Sequence, residues 1–363
     1  MCRVTSALRR AVVVIPLAFA ASLIACGEAA PPGPTPPEYA QAAAQGVDAV
    51  ALARAHAALA ANPDTRCLLL ERNGVLVMED YFNGSNATSA NDVRSVTKSV
   101  TAALVGIAIE QGLIRGLDDR IGDYVGRLFP GLEPRKADIT VRHLLTMSSG
   151  LPWSELNSSY QDFNPWVSSP DPLRWVLERP LERDPGSYWN YNTGASHILS
   201  AILSEATGTS ARAYSEQHLF GPLEASIGSW PADPRGYNYG GHGLRLTGRT
   251  MIQFGRLFLD GGVHRGRQVV STSWVREATT PAFSVGGVAP NATGYGYLWW
   301  VGRDPASGLT FYFASGYGGQ FIVNVPSRNA TIVAATDIEN PRANANWSQV
   351  WRTIVDTLLP ALR

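Results

Sequence analysis

The segment DVRSVTKSVTAALVGIAIEQG, Asp92 to Gly112, holds a serine and a lysine three residues apart, Ser95 and Lys98. The apolar residues that follow, Val100, Leu104 and Ile107, recur at helical spacing, so a buried helix is expected to start near Ser95. Side chains at i and i+3 share one helix face. At a helix start, backbone N–H groups are unpaired and the dipole favours developing negative charge. A serine hydroxyl is a weak nucleophile unless a base takes its proton. Lysine can be that base when burial disfavours its charged form, whereas arginine keeps its proton in proteins. Of the thirty Lys and Arg residues only Lys98 and Lys136 are lysines. The pattern therefore predicts a site that needs an amine able to lose a proton, and the chemistry would be acyl transfer through a serine ester. The competing reading is an exposed helix lysine beside an N-terminal serine.

The elements that must position this pair can be read from both parts of the chain. RCLLLERNGVLVMEDYF is two apolar runs split by Asn73-Gly74, the signal of a hairpin with a type I′ turn. Far along the chain, LTFYFASGYGGQFIVNVPSRNATIVAATD gives three more strand-like runs parted by glycines and a PSRN turn. NANWSQVWRTIVDTLLPALR then places Val350, Ile354, Leu358 and Leu359 at helical spacing. Between them lies a largely helical stretch, with helices expected over Val96–Gln111 and in TVRHLLTMSSG, SHILSAILSEATG and GRTMIQFGRLFLDGG. The expected fold is α/β (α+β): one antiparallel sheet formed by the two ends of the chain, flanked by helices, with an inserted mainly helical subdomain.

Two further segments join SVTKS. One is DPGSYWNYNTGASHILSAILSEATG, a Pro-Gly turn and aromatic loop entering a helix; the other is SGYGGQFIVNVP, a glycine-rich entry to a late strand. In order and rough spacing the three resemble the elements of the serine β-lactamase and penicillin-binding-protein superfamily. The chain looks closest to the class C β-lactamase-related hydrolases, a group of esterases, D-amino-acid peptidases and 6-aminohexanoate-dimer hydrolases. ITVRHLLTMSSGLPW, GLRLTGRTMIQFGRLFLDGG and YGYLWWVG extend the resemblance over nearly the whole chain after residue 45.

The resemblance implies that Ser95 is acylated, that Lys98 accepts its proton, and that Tyr191 shuttles a proton to the leaving group as hydroxyl or phenolate. It implies an oxyanion hole from the backbone N–H groups of Ser95 and Gln320, whose value is that they aim at charge present only in the transition state. Two positions depart from the family pattern. Thr193 stands where the family usually has asparagine, and Tyr317-Gly318-Gly319 stands where a lysine or histidine usually begins the third element. Losing that cation ranks a small amide or ester substrate above a penicillin. Gly318 and Gly319 would let the strand approach the substrate closely. Trp153, Glu155, Tyr160 and Trp166, in the long segment LPWSELNSSYQDFNPWVSSPDPLRW, are candidate cleft walls, since long irregular segments are often functional. Alternative readings of the same fold are a penicillin-binding protein or β-lactamase, a D-amino-acid peptidase, or a ligand-binding sensor that acylates without turnover.

Other classes fit poorly. Formal net charge is zero with no block of like charge, against a nucleic-acid partner. No G-x-S-x-G elbow marks a Ser-His-Asp hydrolase. The six histidines show no HExxH-type pairing, so no metal or diffusible cofactor is expected. Cys67, in RCLLLE, reads as core filler. Residues 1–25 read as a lipoprotein signal peptide: Arg3, Arg9 and Arg10 precede the apolar run from Ala11 to Ala25, and LIAC ends at Cys26 as a lipobox would. Cys26 is then the lipidation site, residues 26–45 a Pro-rich spacer, and 46–363 the hydrolase domain. This predicts a lipid anchor to a bacterial membrane, facing the cell envelope.

Overall fold

The computed structural model describes residues 39–156, 160–339 and 342–363. The expected signal peptide, Cys26 and most of the Pro-rich spacer lie outside the described residues. The last part of that spacer belongs to the folded body: Tyr39 and Ala42 are buried, and the Tyr39 hydroxyl donates to Asp80 Oδ2.

Among the described residues an eight-stranded antiparallel sheet runs β2-β1-β8-β7-β6-β5-β4-β3. Its strands are β1 (Thr65–Arg72), β2 (Val75–Tyr81), β3 (Phe283–Ser284), β4 (Ala292–Tyr295), β5 (Trp300–Arg303), β6 (Thr310–Gly316), β7 (Gln320–Val325) and β8 (Ala330–Thr336). The β1–β2 hairpin turns on Asn73 and Gly74, at φ 54° and 78°, as a type I′ turn requires. One strand in from the β2 edge, β1 pairs with β8 from Thr65↔Thr336 to Arg72↔Ala330, which joins the N-terminal hairpin to the late strands. Strands β7 and β8 are buried along their whole length, so their apolar runs do not alternate.

Helices cover the sheet. Helix α1 is Ala49–Ala60, and helix α5, Gly248–Leu259, lies on β1, β7 and β8. The buried Asn324 ties α5 down: its Nδ2 donates to Gly255 O at 2.9 Å, and its Oδ1 accepts from Thr331 Oγ1 at 2.8 Å. A Cβ at Gly255 would come within 2.6 Å of Thr331 Cγ2, so the helix backbone sits directly on the sheet. Helix α6 is Ala343–Arg352, and Val350, Ile354, Leu358 and Leu359 behind it are all fully buried.

The inserted region holds helix α4 (Thr193–Thr207), which packs on helix α2 (Val96–Glu110), and the short helix α3 (Val141–Leu145), which packs on α4. Helix α2 is buried on every side from Val96 to Ala108, which is the pattern of a helix at the centre of a domain. Its polar residues are spent on loops. Ser99 Oγ donates to Leu298 O at 2.7 Å, Thr101 Oγ1 donates to Gly240 O at 2.8 Å, and Thr97 Oγ1 accepts from Leu244 N at 3.4 Å. These bonds bring the Gly240–Leu244 segment against the first turn of α2. No described helix is long and apolar enough to cross a membrane.

Candidate active site

Helix α2 begins in tight turns: Val96, Thr97 and Lys98 N–H groups donate to Val93, Arg94 and Ser95 carbonyls. Ser95 itself is in the helical region and its hydroxyl caps no backbone N–H, so that hydroxyl is free for other work. Lys98 Nζ lies 2.8 Å from Ser95 Oγ and donates to Gly241 O at 3.0 Å. Lys98 is only 1% exposed. Burial pulls its ammonium down to about 8, with the negative charge of Glu155 opposing. The amine is thus a base near neutral pH, already in contact with the hydroxyl it would deprotonate.

Gly241 is what lets the lysine reach its place. A Cβ there would stand 3.3 Å from Lys98 Nζ and 2.7 Å from Thr193 Cγ2.

Tyr191 reaches the same point from the loop before α4. That loop is held by Asn190 N–H donating to Met147 O at 2.7 Å, and by Asn192, whose Oδ1 caps α4 by accepting from Ala195 N at 2.9 Å. The Tyr191 ring stacks on Trp300, centroids 5.8 Å apart, and Lys98 Nζ sits 4.8 Å from its centroid. Burial, with Tyr295 and Glu155 adding to it, pushes the Tyr191 hydroxyl well above 10, while hydrogen bonding to Ser95 opposes. On balance the site favours the phenol with its proton on.

Ser95 opens onto two cavities. The first, about 260 Å³, has mostly apolar walls, among them Val288, Pro290, Trp300, Phe313 and Trp347, with Glu155, Tyr160, Tyr191, Tyr317 and Gly318. The second, about 240 Å³, is lined by Arg94, Glu155, Tyr160, Phe163, Asn164, His242 and Tyr317. Tyr160 and Tyr317 meet edge to face, 5.6 Å apart, where the two cavities join.

Several expected wall residues stand elsewhere. Thr193 is fully buried and fully engaged: its Oγ1 donates to Glu155 Oε1 at 2.7 Å and its N–H to Glu155 Oε2 at 3.2 Å. It shapes the site through Glu155 and offers nothing to a substrate. Trp166 is also fully buried, donating to Pro172 O at 3.0 Å and packing its edge against Trp153 and His197. Trp153 donates to Glu155 Oε2 at 2.6 Å and lines only a shallow groove behind Tyr191. The aromatic residues of this loop thus divide between pinning it down and, at Tyr160, facing the cleft.

The third element is shifted as well. Gln320 pairs with Gly316 across the β6–β7 hairpin, is fully buried, and lines neither cavity. Its side chain is spent on Thr336. Gly319 faces the C-terminal helix, where a Cβ would press on Val350 Cγ2 at 3.2 Å. The residues placed beside Ser95 are instead Ser315, Gly316 and Tyr317. Gly316 runs so close to the segment before Ser95 that a Cβ would come within 2.4 Å of Val93 O.

Sequence reasoning missed Arg94 and His242. Arg94 sits next to Ser95 in DVRSVTK, which was a usable signal; His242 had none, since a lone histidine in GGHG is brought to the cleft only by the bonds that α2 makes to that loop. Cys67 has the structural place expected of it, and His197 and His143 also serve the fold. Burial pushes the Cys67 thiol up to about 12, His197 meets Asp233 Oδ2 at 3.0 Å in the core, and His143 closes a capping box with Thr140.

Comparison with known proteins agrees with this geometry. The chain is 24% identical over 229 residues to the 6-aminohexanoate-dimer hydrolase of Paenarthrobacter ureafaciens, covering 58% of this chain and 56% of that protein. It is 23% identical over 276 residues to the lovastatin esterase of Penicillium rubens, covering 62% and 68%. The chain spans about half the length of the first of these relatives. Among solved structures, a D-stereospecific amidohydrolase from Streptomyces sp. superposes with a TM-score of 0.62 at 18% identity, over 83% of this chain and 97% of that one. The Beta-lactamase family profile matches residues 36–353, well over half of the sequence, and the chain therefore belongs to the Beta-lactamase family.

Proposed function

We propose that the protein is a serine hydrolase that cleaves a small amide or ester through an acyl-enzyme on Ser95. The observation that carries this is the Lys98 amine, buried, lowered to about 8, and 2.8 Å from Ser95 Oγ. Lys98 takes the hydroxyl proton as Oγ attacks the substrate carbonyl. The negative oxygen that forms is met by the backbone N–H of Ser95 and by that of Tyr317, which lines both cavities beside the serine, in place of the Gln320 N–H that the family pattern suggested. Tyr191, neutral and facing Ser95, gives its proton to the departing amine or alkoxide and is refilled from the Lys98 ammonium. Water then attacks the acyl-serine, its proton passes along the same path to Ser95 Oγ as the acyl–oxygen bond breaks, and the acid is released.

The names of the relatives, a 6-aminohexanoate-dimer hydrolase and a lovastatin esterase, support a hydrolase. Ala314, Ser315 and Gly316 offer no cation at the end of β6, which supports a substrate other than a penicillin. The leader adds a location, a lipid anchor at Cys26 holding the enzyme in the bacterial cell envelope; intact mass of the membrane-extracted protein would show the added acyl chains.

The test is covalent labelling with a neutral fluorophosphonate and turnover of a short p-nitrophenyl ester. Both are expected in the wild type and both lost in Ser95→Ala. Lys98→Arg is expected to lose turnover as fully as Lys98→Ala, a fall of about 100-fold or more, since general-base catalysis contributes at least that much. Labelling that persists in Ser95→Ala, or full turnover in Lys98→Arg, overturns the reading.

A further inference from the structure

The second cavity beside Ser95 collects hydrogen-bond donors that have nothing to bind. Among the described residues the Arg94 guanidinium makes no hydrogen bond, and its Nε is shut off from solvent without a partner. The nearest carboxylate oxygen, Asp92 Oδ2, is 3.7 Å from that nitrogen, beyond hydrogen-bonding reach. Asp92 is otherwise employed: its Oδ1 accepts from the Arg94 backbone N–H at 2.8 Å. That turn accompanies a left-handed Arg94 backbone, φ 49°, and the guanidinium lies over the Tyr317 ring, 5.9 Å from its centroid. Non-glycine residues held in this region cost energy and gather at working sites.

His242 faces the same cavity. It is 7% exposed, stacks on Tyr239 at 4.6 Å, and has no hydrogen-bond partner among the described residues, with Nε2 fully shut off. Burial first, then Lys98 and Arg94, hold its pKa well below 6.5, so it stands there as a neutral imidazole. The acid in the cavity, Glu155, makes no hydrogen bond to Arg94; Trp153 and Thr193 donate to both its oxygens. What remains is a guanidinium that faces Asp92 across 3.7 Å, donates no hydrogen bond among the described residues, and stands 28% exposed at a partly closed space. Its donors are open to a bound anion, which would accept the charge-assisted hydrogen bonds that Asp92 does not.

Resting on the hydrolase reading above, we propose that this cavity seats a carboxylate on the acyl half of the substrate, paired with the Arg94 guanidinium. The direction follows from Tyr191, which gives its proton to the leaving group and lines the first, apolar cavity but not the second. The leaving group lies against Trp300, Phe313 and Trp347, and the acyl half extends past Ser95 toward Arg94 and His242. The substrate class is an amide or ester of an acid that carries a second carboxylate, joined to an apolar amine or alcohol.

The experiment compares kcat/KM for the mono-4-nitrophenyl ester of glutaric acid with that for 4-nitrophenyl valerate, its neutral counterpart of equal chain length. Wild type is expected to favour the glutarate ester by on the order of 10- to 100-fold, as for a charge-assisted hydrogen bond in a site screened from water. Arg94→Gln should abolish the preference and Arg94→Lys should restore part of it. Ser95 labelling by the neutral fluorophosphonate, run on every variant, reports separately on the nucleophile. Equal use of the two esters by a wild type that labels normally overturns the proposal, as does a preference that survives Arg94→Gln. Failure of wild type to label overturns the hydrolase reading, and this proposal with it.

Discussion

Lys98→Met should make the protein more stable at neutral pH while removing its activity. The wild-type ammonium is taken from water into a site where its pKa is about 8 instead of 10.5. At 1.36 kcal/mol per unit, burying the charged form costs about 3 kcal/mol below pH 8, where both folded and unfolded chains carry the proton. Between pH 8 and 10.5 the unfolded chain holds more protons than the folded one, so wild-type stability rises with pH and the penalty fades. Methionine has no such term. It does forfeit the bonds to Ser95 Oγ and to the Gly241 carbonyl, and leaving that carbonyl unpaired costs about 1–3 kcal/mol. The net gain at pH 7 is therefore on the order of 1 kcal/mol, a rise in Tm of roughly 2–4 °C. The pH dependence is the sharper quantity, because the lost bonds cancel from it: the stability of Lys98→Met relative to wild type should fall by about 2–3 kcal/mol from pH 7 to pH 10. Urea unfolding of both proteins at half-unit pH steps measures it. A difference that stays flat across that window would refute the claim that burial lowers the pKa of this amine in the folded state.

Turnover of wild type should climb with pH along a limb centred near 8, since only the neutral amine can accept the Ser95 proton. Glu155→Gln should move that limb to lower pH by removing the one charge that supports the ammonium; the amide can still accept from Trp153 and donate to Thr193, so an unmoved limb in a folded variant would remove Glu155 from the account. Gly241→Ala should cut kcat by about 10-fold or more with little change in fold, because the added methyl displaces Lys98 Nζ and Thr193, and displacement of a reacting group by about 1 Å costs up to 100-fold. A kcat within twofold of wild type would show that the lysine does not need that approach.

How far the sequence carries can be seen residue by residue. The β1–β2 hairpin was legible because Asn-Gly is one of few pairs that accept two left-handed residues in succession. Ser95 and Lys98 were legible because three residues on a helix is a contact whatever surrounds it. Tyr191 came through the family pattern, not through spacing. Thr193 and Trp166 were misplaced because a polar or aromatic residue near a motif looks the same whether it faces the cleft or the core, and only the Glu155 and Pro172 contacts decide it. The shift from Gln320 to Tyr317 turns on where β6 ends and its hairpin begins, a boundary that a glycine-rich stretch leaves open. His242 depends on a loop tied to α2 from 139 to 147 residues away along the chain.

The pairing of β1 with β8 also bears on how the molecule is made. Thr65 finds Thr336 only after almost the whole chain has been synthesised. Until then the first hairpin has one edge exposed, and helix α5 lacks two of the three strands it covers. Local structure can form early, but the central sheet cannot close on a ribosome-bound fragment, and such long-range pairing makes for slow folding and aggregation-prone intermediates.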